Sequence, residues 1–222
     1  MSKKTKLIVS LILSVIVLIY IVLEYYGIIR YYKLHWFSTE KYVKSYSSLE
    51  KADKNKVVLT FSCPVEKLKN LKPFINSLLD QTVKVDEIAL TIPFKNVDKI
   101  PAYLSEILTV DGYSKDYGDK SCMICPILRE TEANTKIIIV DPDMVYSKEF
   151  VQDMVDESNK NPDKIVYGKG KDPKFGILIK PGFFDGKDDC VSCSGKKDCI
   201  DWLNSYCKAT AVCAGCTGIY SR

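Results

Sequence analysis

Histidine and arginine are nearly missing from this chain. Its 222 residues include one histidine, His35, and three arginines, Arg30, Arg129 and Arg222, against 29 lysines (32 basic residues less three). Everything downstream of His35 is therefore without imidazole. That excludes Ser-His-Asp and Cys-His catalysis there, and zinc held by histidine. So few guanidinium groups leave few bidentate clamps for phosphate. The formal charge is only +4, too small to argue for a nucleic-acid partner. No segment repeats at the period of a solenoid.

Charge is also missing from one long run. Leu7 to Leu23 reads LIVSLILSVIVLIYIVL, with two serines as its least apolar residues. As a helix it would span about 26 Å, close to the hydrocarbon thickness of an endoplasmic-reticulum membrane. Lys3, Lys4 and Lys6 precede it, and Tyr20, Tyr25, Tyr26, Tyr31, Tyr32 and Trp36 cluster at its far side, as an interfacial aromatic belt would. A cleaved signal peptide would have a shorter apolar region followed by small residues, whereas this run ends in Glu24-Tyr25-Tyr26. The expectation is an uncleaved signal anchor over 7–29, with a cytoplasmic tail at 1–6. The amino-terminal lysines favour that orientation, with Arg30 and Lys33 on the opposite flank pulling the other way. The protein is then expected to be single-pass type II, its body in an endoplasmic-reticulum or Golgi-like lumen. Residues 30–55 lack a clean period and read as a stem, with His35 an interfacial side chain.

Beyond the stem, strand and helix patterns alternate. Lys56 to Cys63 (KVVLTFSC) is strand-like and closed by Pro64. Val65 to Gln81 carries Leu68, Leu71, Phe74, Ile75, Leu78 and Leu79 at helical spacing, with Pro73 a kink or the start of a second part. Glu87 to Ile92 is a second strand, Pro101 to Leu108 a short helix, Thr109 to Tyr113 a strand and Ser121 to Glu130 a helix. Ser147 is placed to cap a helix reaching about Asn159, with Phe150, Met154 and Val155 inward. Lys164 to Tyr167 and Phe175 to Ile179 are further strands. This order predicts an α/β fold, a doubly wound and mostly parallel sheet, over 56–170. Residues 171–222, rich in Gly, Lys, Asp and Cys, read as an irregular region.

Ile137 to Tyr146, IIIVDPDMVY, is the most informative stretch. Four apolar residues make a buried strand that ends in Asp141 and Asp143, separated by Pro142. Ligands of parallel α/β sheets bind at the carboxyl ends of strands. Two acids there suit a hard divalent ion, Mg²⁺ or Mn²⁺, which can bridge to phosphate oxygens. The same residues also suit a solvated turn.

The order of motifs resembles the GT-A glycosyltransferases, specifically the family-2-like group. Ser77-Leu78-Leu79-Asp80-Gln81-Thr82 followed by Val85-Asp86-Glu87-Ile88-Ala89-Leu90-Thr91-Ile92-Pro93 is similar to their signature after the first helix. Asp116-Tyr117-Gly118 resembles their D-x-G, Ile137 to Tyr146 their strand ending in acids, and Gly215-Cys216-Thr217-Gly218-Ile219-Tyr220 their glycine-rich acceptor-side turn. The resemblance implies a GT-A, Rossmann-like domain that binds a nucleotide-sugar donor and transfers the sugar to a glycan or glycoprotein acceptor. It implies Asp141 and Asp143 as metal ligands on the diphosphate, Asp116 near the nucleotide, and Ser62 and Pro64 at the start of the loop beneath the base. A metal there would stabilise the departing diphosphate.

The chain departs from that pattern in four places. Val65-Glu66 stands where the family often has a basic residue, leaving Lys67 to substitute; Pro142 stands for the middle acid; Asp119 stands for a proline, with Lys120 out of register. The family's later acidic pair, which serves the acceptor hydroxyl, has no counterpart before Arg222. Asp185, Asp188, Asp189, Asp198 and Asp201 remain as acids, each read as a solvated loop residue, so no catalytic base is assigned. A sugar-nucleotide or glycan-binding remnant without catalysis, and a Cys-rich structural module, are the competing readings.

Nine cysteines occur, with C-x-x-C spacing at 122/125, 190/193 and 213/216. A lumenal location favours disulfides among the six between Cys190 and Cys216; a reducing compartment would allow a four-thiolate zinc site from the last two pairs. Cys63, at the end of the first strand, is the expected buried free thiol.

Overall fold

The structure is a computed structural model that describes residues 2–113, 125–127, 129–163, 166–169, 175–179 and 212–214. The readings placed on Asp116, Asp119, Lys120, the acids from Asp185 to Asp201, the cysteines from Cys190 to Cys207 and the turn beginning at Gly215 lie outside these residues. The chain divides into two compact units, Met1–Ser38 and Thr39–Arg222.

The first unit is helical. Helix α1 (Lys3–Tyr25) begins at Ser2, whose Oγ accepts the amide of Thr5 at 3.1 Å. It is long and apolar enough to cross a membrane, and none of it is buried within the protein. Such a helix suits a membrane anchor or a signal sequence. Gly27 stops it with φ 70, a left-handed conformation that costs glycine little, and α2 (Ile28–Trp36) follows. On α2 the rings of Tyr32 and Trp36 lie 5.7 Å apart, and those of Tyr31 and His35 4.3 Å apart. His35 Nδ1 is 2.9 Å from the Tyr31 carbonyl, so the lone imidazole is engaged within its own helix.

The second unit is an α/β domain. Its strands are β1 (Val57–Ser62), β2 (Glu87–Pro93), β3 (Thr109–Tyr113), β4 (Lys136–Ile139), β5 (Val166–Lys169), β6 (Phe175–Ile179) and β7 (Val212–Ala214). They form one sheet in the order β3-β2-β1-β4-β6-β5-β7. Strands β3, β2, β1 and β4 are mutually parallel, β6 runs antiparallel to β4 and β5, and β7 is parallel to β5. Successive residues Val57 to Phe61 are all buried, as are Ile88 to Ile92. Neighbouring side chains in a strand point to opposite faces, so both faces are covered here. The expected alternating, mostly parallel α/β architecture is observed.

Its helices include α3 (Thr39–Ser47), α4 (Lys72–Leu79), α5 (Ala102–Ser105) and α6 (Phe150–Lys160), with 3-10 turns at Val65–Asn70 and Phe94–Lys99. The single kinked helix expected over Val65 to Gln81 is instead a 3-10 turn followed by α4. Pro73 sits in the first turn of α4, where the missing N–H has no partner to lose. A row of rings, Phe61, Phe74, Tyr146 and Phe150, runs from β1 through α4 to α6, with centroid separations of 4.9, 6.2 and 4.3 Å.

The expected stem at 30–55 differs in its second half. Helix α3 packs on α4, Tyr42 is buried, and the Tyr46 hydroxyl accepts the amide of Val85 at 2.8 Å. The amides of Ala52 and Lys84 bond the carbonyls of Lys84 and Glu50, each at 2.9 Å. Asp53 meets Lys136 at 3.0 Å, with the two side chains only 5% and 2% exposed. Residues from Thr39 onward therefore belong to the folded unit. Their partners are distant in sequence, so no local period betrays them.

Candidate functional site

Strands β1, β2 and β3 step outward in one direction, and the chain then returns to place β4 on the other side of β1. This reversal makes the carboxyl ends of β1 and β4 the switch point of the sheet, where parallel α/β folds open a crevice. The last paired residues are Thr60 and Ile139, and the amide of Val140 still bonds the Thr60 carbonyl at 2.9 Å. Ser62-Cys63-Pro64 and Asp141-Pro142-Asp143 leave the sheet side by side from there. Of the five residues expected at a donor site, Ser62, Pro64, Asp141 and Asp143 are thus brought to one edge. Asp116 is outside the described residues.

The Asp141 loop is held from inside. Its amide donates to the Tyr146 hydroxyl at 2.8 Å, and the amide of Asp143 donates to Asp141 Oδ1 at 2.8 Å. This second bond is an Asx turn, which Asp favours for its short acceptor side chain. Tyr146 is buried, its own amide donates to Ser77 Oγ at 3.2 Å, and burial pushes its phenol well above the usual range. Gln81, just past the end of α4, completes the frame. Its Nε2 donates to the carbonyls of Ser77 and Ser147 at 2.8 and 2.7 Å, and its Oε1 accepts the amide of Val151 at 3.0 Å. The last bond satisfies one of the orphan N–H groups at the start of α6. The expectation that Ser147 caps this helix is corrected: the helix starts at Phe150, and its cap position, Glu149, makes no side-chain bond. The signal for Gln81 was present in the Ser77-to-Thr82 motif, but only the fold reveals its partners.

On the facing loop, Cys63 is buried, its thiol donates to the Pro64 carbonyl at 3.3 Å, and burial raises it to about 11. It is a free, inert thiol, as expected of that position. Pro64 turns the chain into the 3-10 segment, where its carbonyl also accepts the amide of Lys67 at 3.0 Å. Lys67 Nζ then reaches across to Asp143, 2.8 Å from Oδ1 and 2.6 Å from Oδ2. That hydrogen bond holds the ammonium above its ordinary range. The basic residue named as a substitute for the expected phosphate helper therefore meets one of the two acids, Asp143, directly.

Asp141 and Asp143 offer hard oxygen donors, which suit Mg²⁺ or Mn²⁺ bound through one or two carboxylates, with water and phosphate completing the shell. Among the described residues, no three His, Cys, Asp or Glu side chains gather into a fuller metal-holding group. Phe94 lies on the same sheet edge, just beyond β2, and is 62% exposed. Its ring covers Gly112 so closely that a Cβ there would clash with it.

A second charged cluster involves the opposite ends of the strands. Arg129 reaches Glu87 at 2.7 Å and Glu130 at 3.1 Å and also pairs with Asp111; Lys56 reaches Glu130 at 2.9 Å and Glu87 at 3.4 Å. Burial raises the Asp111 carboxyl even beside Arg129. Glu87 begins β2, Lys56 precedes β1 and Glu130 precedes β4, so most of the network lies at the amino ends of the strands, while Asp111 stands in the middle of β3, in register with Thr91 of β2. Set beside known proteins, the sequence matches no protein-family model and no curated protein.

Proposed function

We propose that this chain is a membrane-anchored glycosyltransferase of GT-A type, transferring a sugar from a nucleotide-sugar donor to a glycan or glycoprotein acceptor. Its anchor is α1, with the amino terminus cytoplasmic and the α/β unit in an endoplasmic-reticulum or Golgi-like lumen. Asp141 and Asp143 hold Mn²⁺ or Mg²⁺ on the donor diphosphate, and Ser62 and Pro64 border the same cleft. The cation stabilises negative charge on the departing diphosphate. The observation that carries this reading is the placement of the acid pair at the switch point, on a loop pinned by Tyr146 and Gln81. Pinned charges cost little reorganisation when charge develops on a ligand.

Calorimetry tests the reading. A nucleoside diphosphate is expected to bind in a Mn²⁺-dependent manner, and the Asp141→Ala, Asp143→Ala double variant is expected to lose that dependence. Equal affinity in the double variant sinks the assignment. A second reading, sugar-nucleotide binding without transfer, draws support from the engagement of Asp143 by Lys67. Incubation with labelled donors separates the two: transfer to an acceptor supports the enzyme, and binding with neither transfer nor donor hydrolysis supports the remnant.

A further inference from the structure

Lys67 and Asp143 come from loops 76 residues apart, and the ammonium lies on both carboxylate oxygens, at 2.8 and 2.6 Å. It thus occupies the carboxylate edge that a cation would use. We propose that Lys67 is an exchangeable counter-ion of this site: it neutralises Asp143 when no divalent cation is bound and turns to the diphosphate oxygens when one takes its place. The proposal rests on the reading of Asp141 and Asp143 as cation ligands.

Three features make the exchange feasible. Both side chains are about half exposed, at 49% and 48%, and an ion pair so open to water is weakly held. The Lys67 backbone is anchored by the hydrogen bond its N–H donates to the Pro64 carbonyl and by the buried neighbour Leu68, so the flexible stem alone has to move. The acid loop does not depend on Lys67 for its shape. The Asp141 amide is committed to Tyr146 and its Oδ1 to the Asp143 amide, both at 2.8 Å. A divalent ion at Asp143 repels the ammonium and brings phosphate charge beside it, which favours the second position by Coulomb attraction.

The test uses the full chain in detergent micelles, with two probes: Mn²⁺ alone, followed by electron paramagnetic resonance, and inorganic pyrophosphate at saturating Mn²⁺, followed by calorimetry. Lys67→Met is expected to bind Mn²⁺ alone about three-fold more tightly than the wild type, because a competitor is gone. The same variant is expected to bind pyrophosphate about ten-fold more weakly, because a charge-assisted donor is gone, with Lys67→Arg recovering much of the loss. Equal Mn²⁺ affinity in wild type and Lys67→Met, with binding abolished by Asp141→Ala plus Asp143→Ala, overturns the exchange and leaves the cation site standing. Absence of Mn²⁺ binding in every protein overturns the cation site and the exchange with it.

Discussion

Gln81 accepts the amide of Val151 at 3.0 Å, so a side chain just past α4 caps a helix that begins 69 residues later. Gln81 Nε2 donates to the carbonyls of Ser77 and Ser147. Three backbone groups on two segments, two of the bonds buried and one part-buried, therefore depend on one side chain, and the loop carrying Asp141 and Asp143 lies between β4 and the second of these segments.

Gln81→Ala is expected to lower stability by about 2–3 kcal/mol, because buried partners lose their bonds. The change is also expected to raise hydrogen exchange across residues 141–151. Urea unfolding and exchange mass spectrometry measure the two effects. A loss below about 0.5 kcal/mol with unchanged exchange would show that the frame does not hold the loop.

The Asp53–Lys136 pair predicts both a mutational and a pH effect. Asp53→Ala strands a lysine that is only 2% exposed and is expected to cost about 3 kcal/mol or more. Replacing both partners by apolar residues is expected to cost less than that single change. Burial alone would raise the Asp53 carboxyl, but hydrogen bonds from Asn159, the Asn55 amide and Lys136 outweigh it, and it titrates below its ordinary 3.8. A lowered folded value means the unfolded chain takes up the proton more readily. The stabilisation is therefore complete above 3.8 and is lost as pH falls through the lower folded value. Denaturation series at stepwise lower pH are expected to show this loss in the wild type and a flatter profile in Asp53→Asn.

Phe94 is expected to distinguish a nucleotide from a bare diphosphate. It follows β2 at the carboxyl-end edge of the sheet, its ring lies over Gly112 of β3, and it is exposed enough to offer aromatic surface on which a base can stack. Phe94→Ala is expected to weaken a nucleoside diphosphate by about 1 kcal/mol or more while leaving pyrophosphate affinity unchanged. Calorimetry with the two ligands decides it, and equal losses for both would remove Phe94 from any role in holding a base.

Much of the α/β unit was legible because its signals are local. Runs such as Val57 to Phe61 and Ile88 to Ile92 are apolar except for Thr60 and Thr91 and rich in β-branched residues, which suits a strand covered on both faces, and Pro64 and Pro93 mark where strands end. The acids after β4 were legible for the same reason, as a polar break after a buried run. Residues 39–55 were not legible. What holds them is the packing of α3 on α4 with Tyr42 buried, Tyr46 on Val85, the backbone bonds of Lys84 with Glu50 and Ala52, and Asp53 on Lys136, all contacts with residues distant in sequence. Ser147 illustrates the converse error: a residue with the right chemistry for a cap was displaced in that role by Gln81, which reaches α6 through the tertiary structure.

By itself the sequence determined the apolar amino-terminal helix, the alternation of strands and helices, and the presence of two carboxylates behind a buried strand. Each follows from side-chain polarity and backbone preference over a few neighbouring residues. Only the tertiary structure decided that β4 lies against β1 rather than beyond β3, that Lys67 meets Asp143, and that Gln81 and Tyr146 hold the acid loop. Those relationships join residues dozens of positions apart, and short-range periodicity carries no information about which distant segments pair.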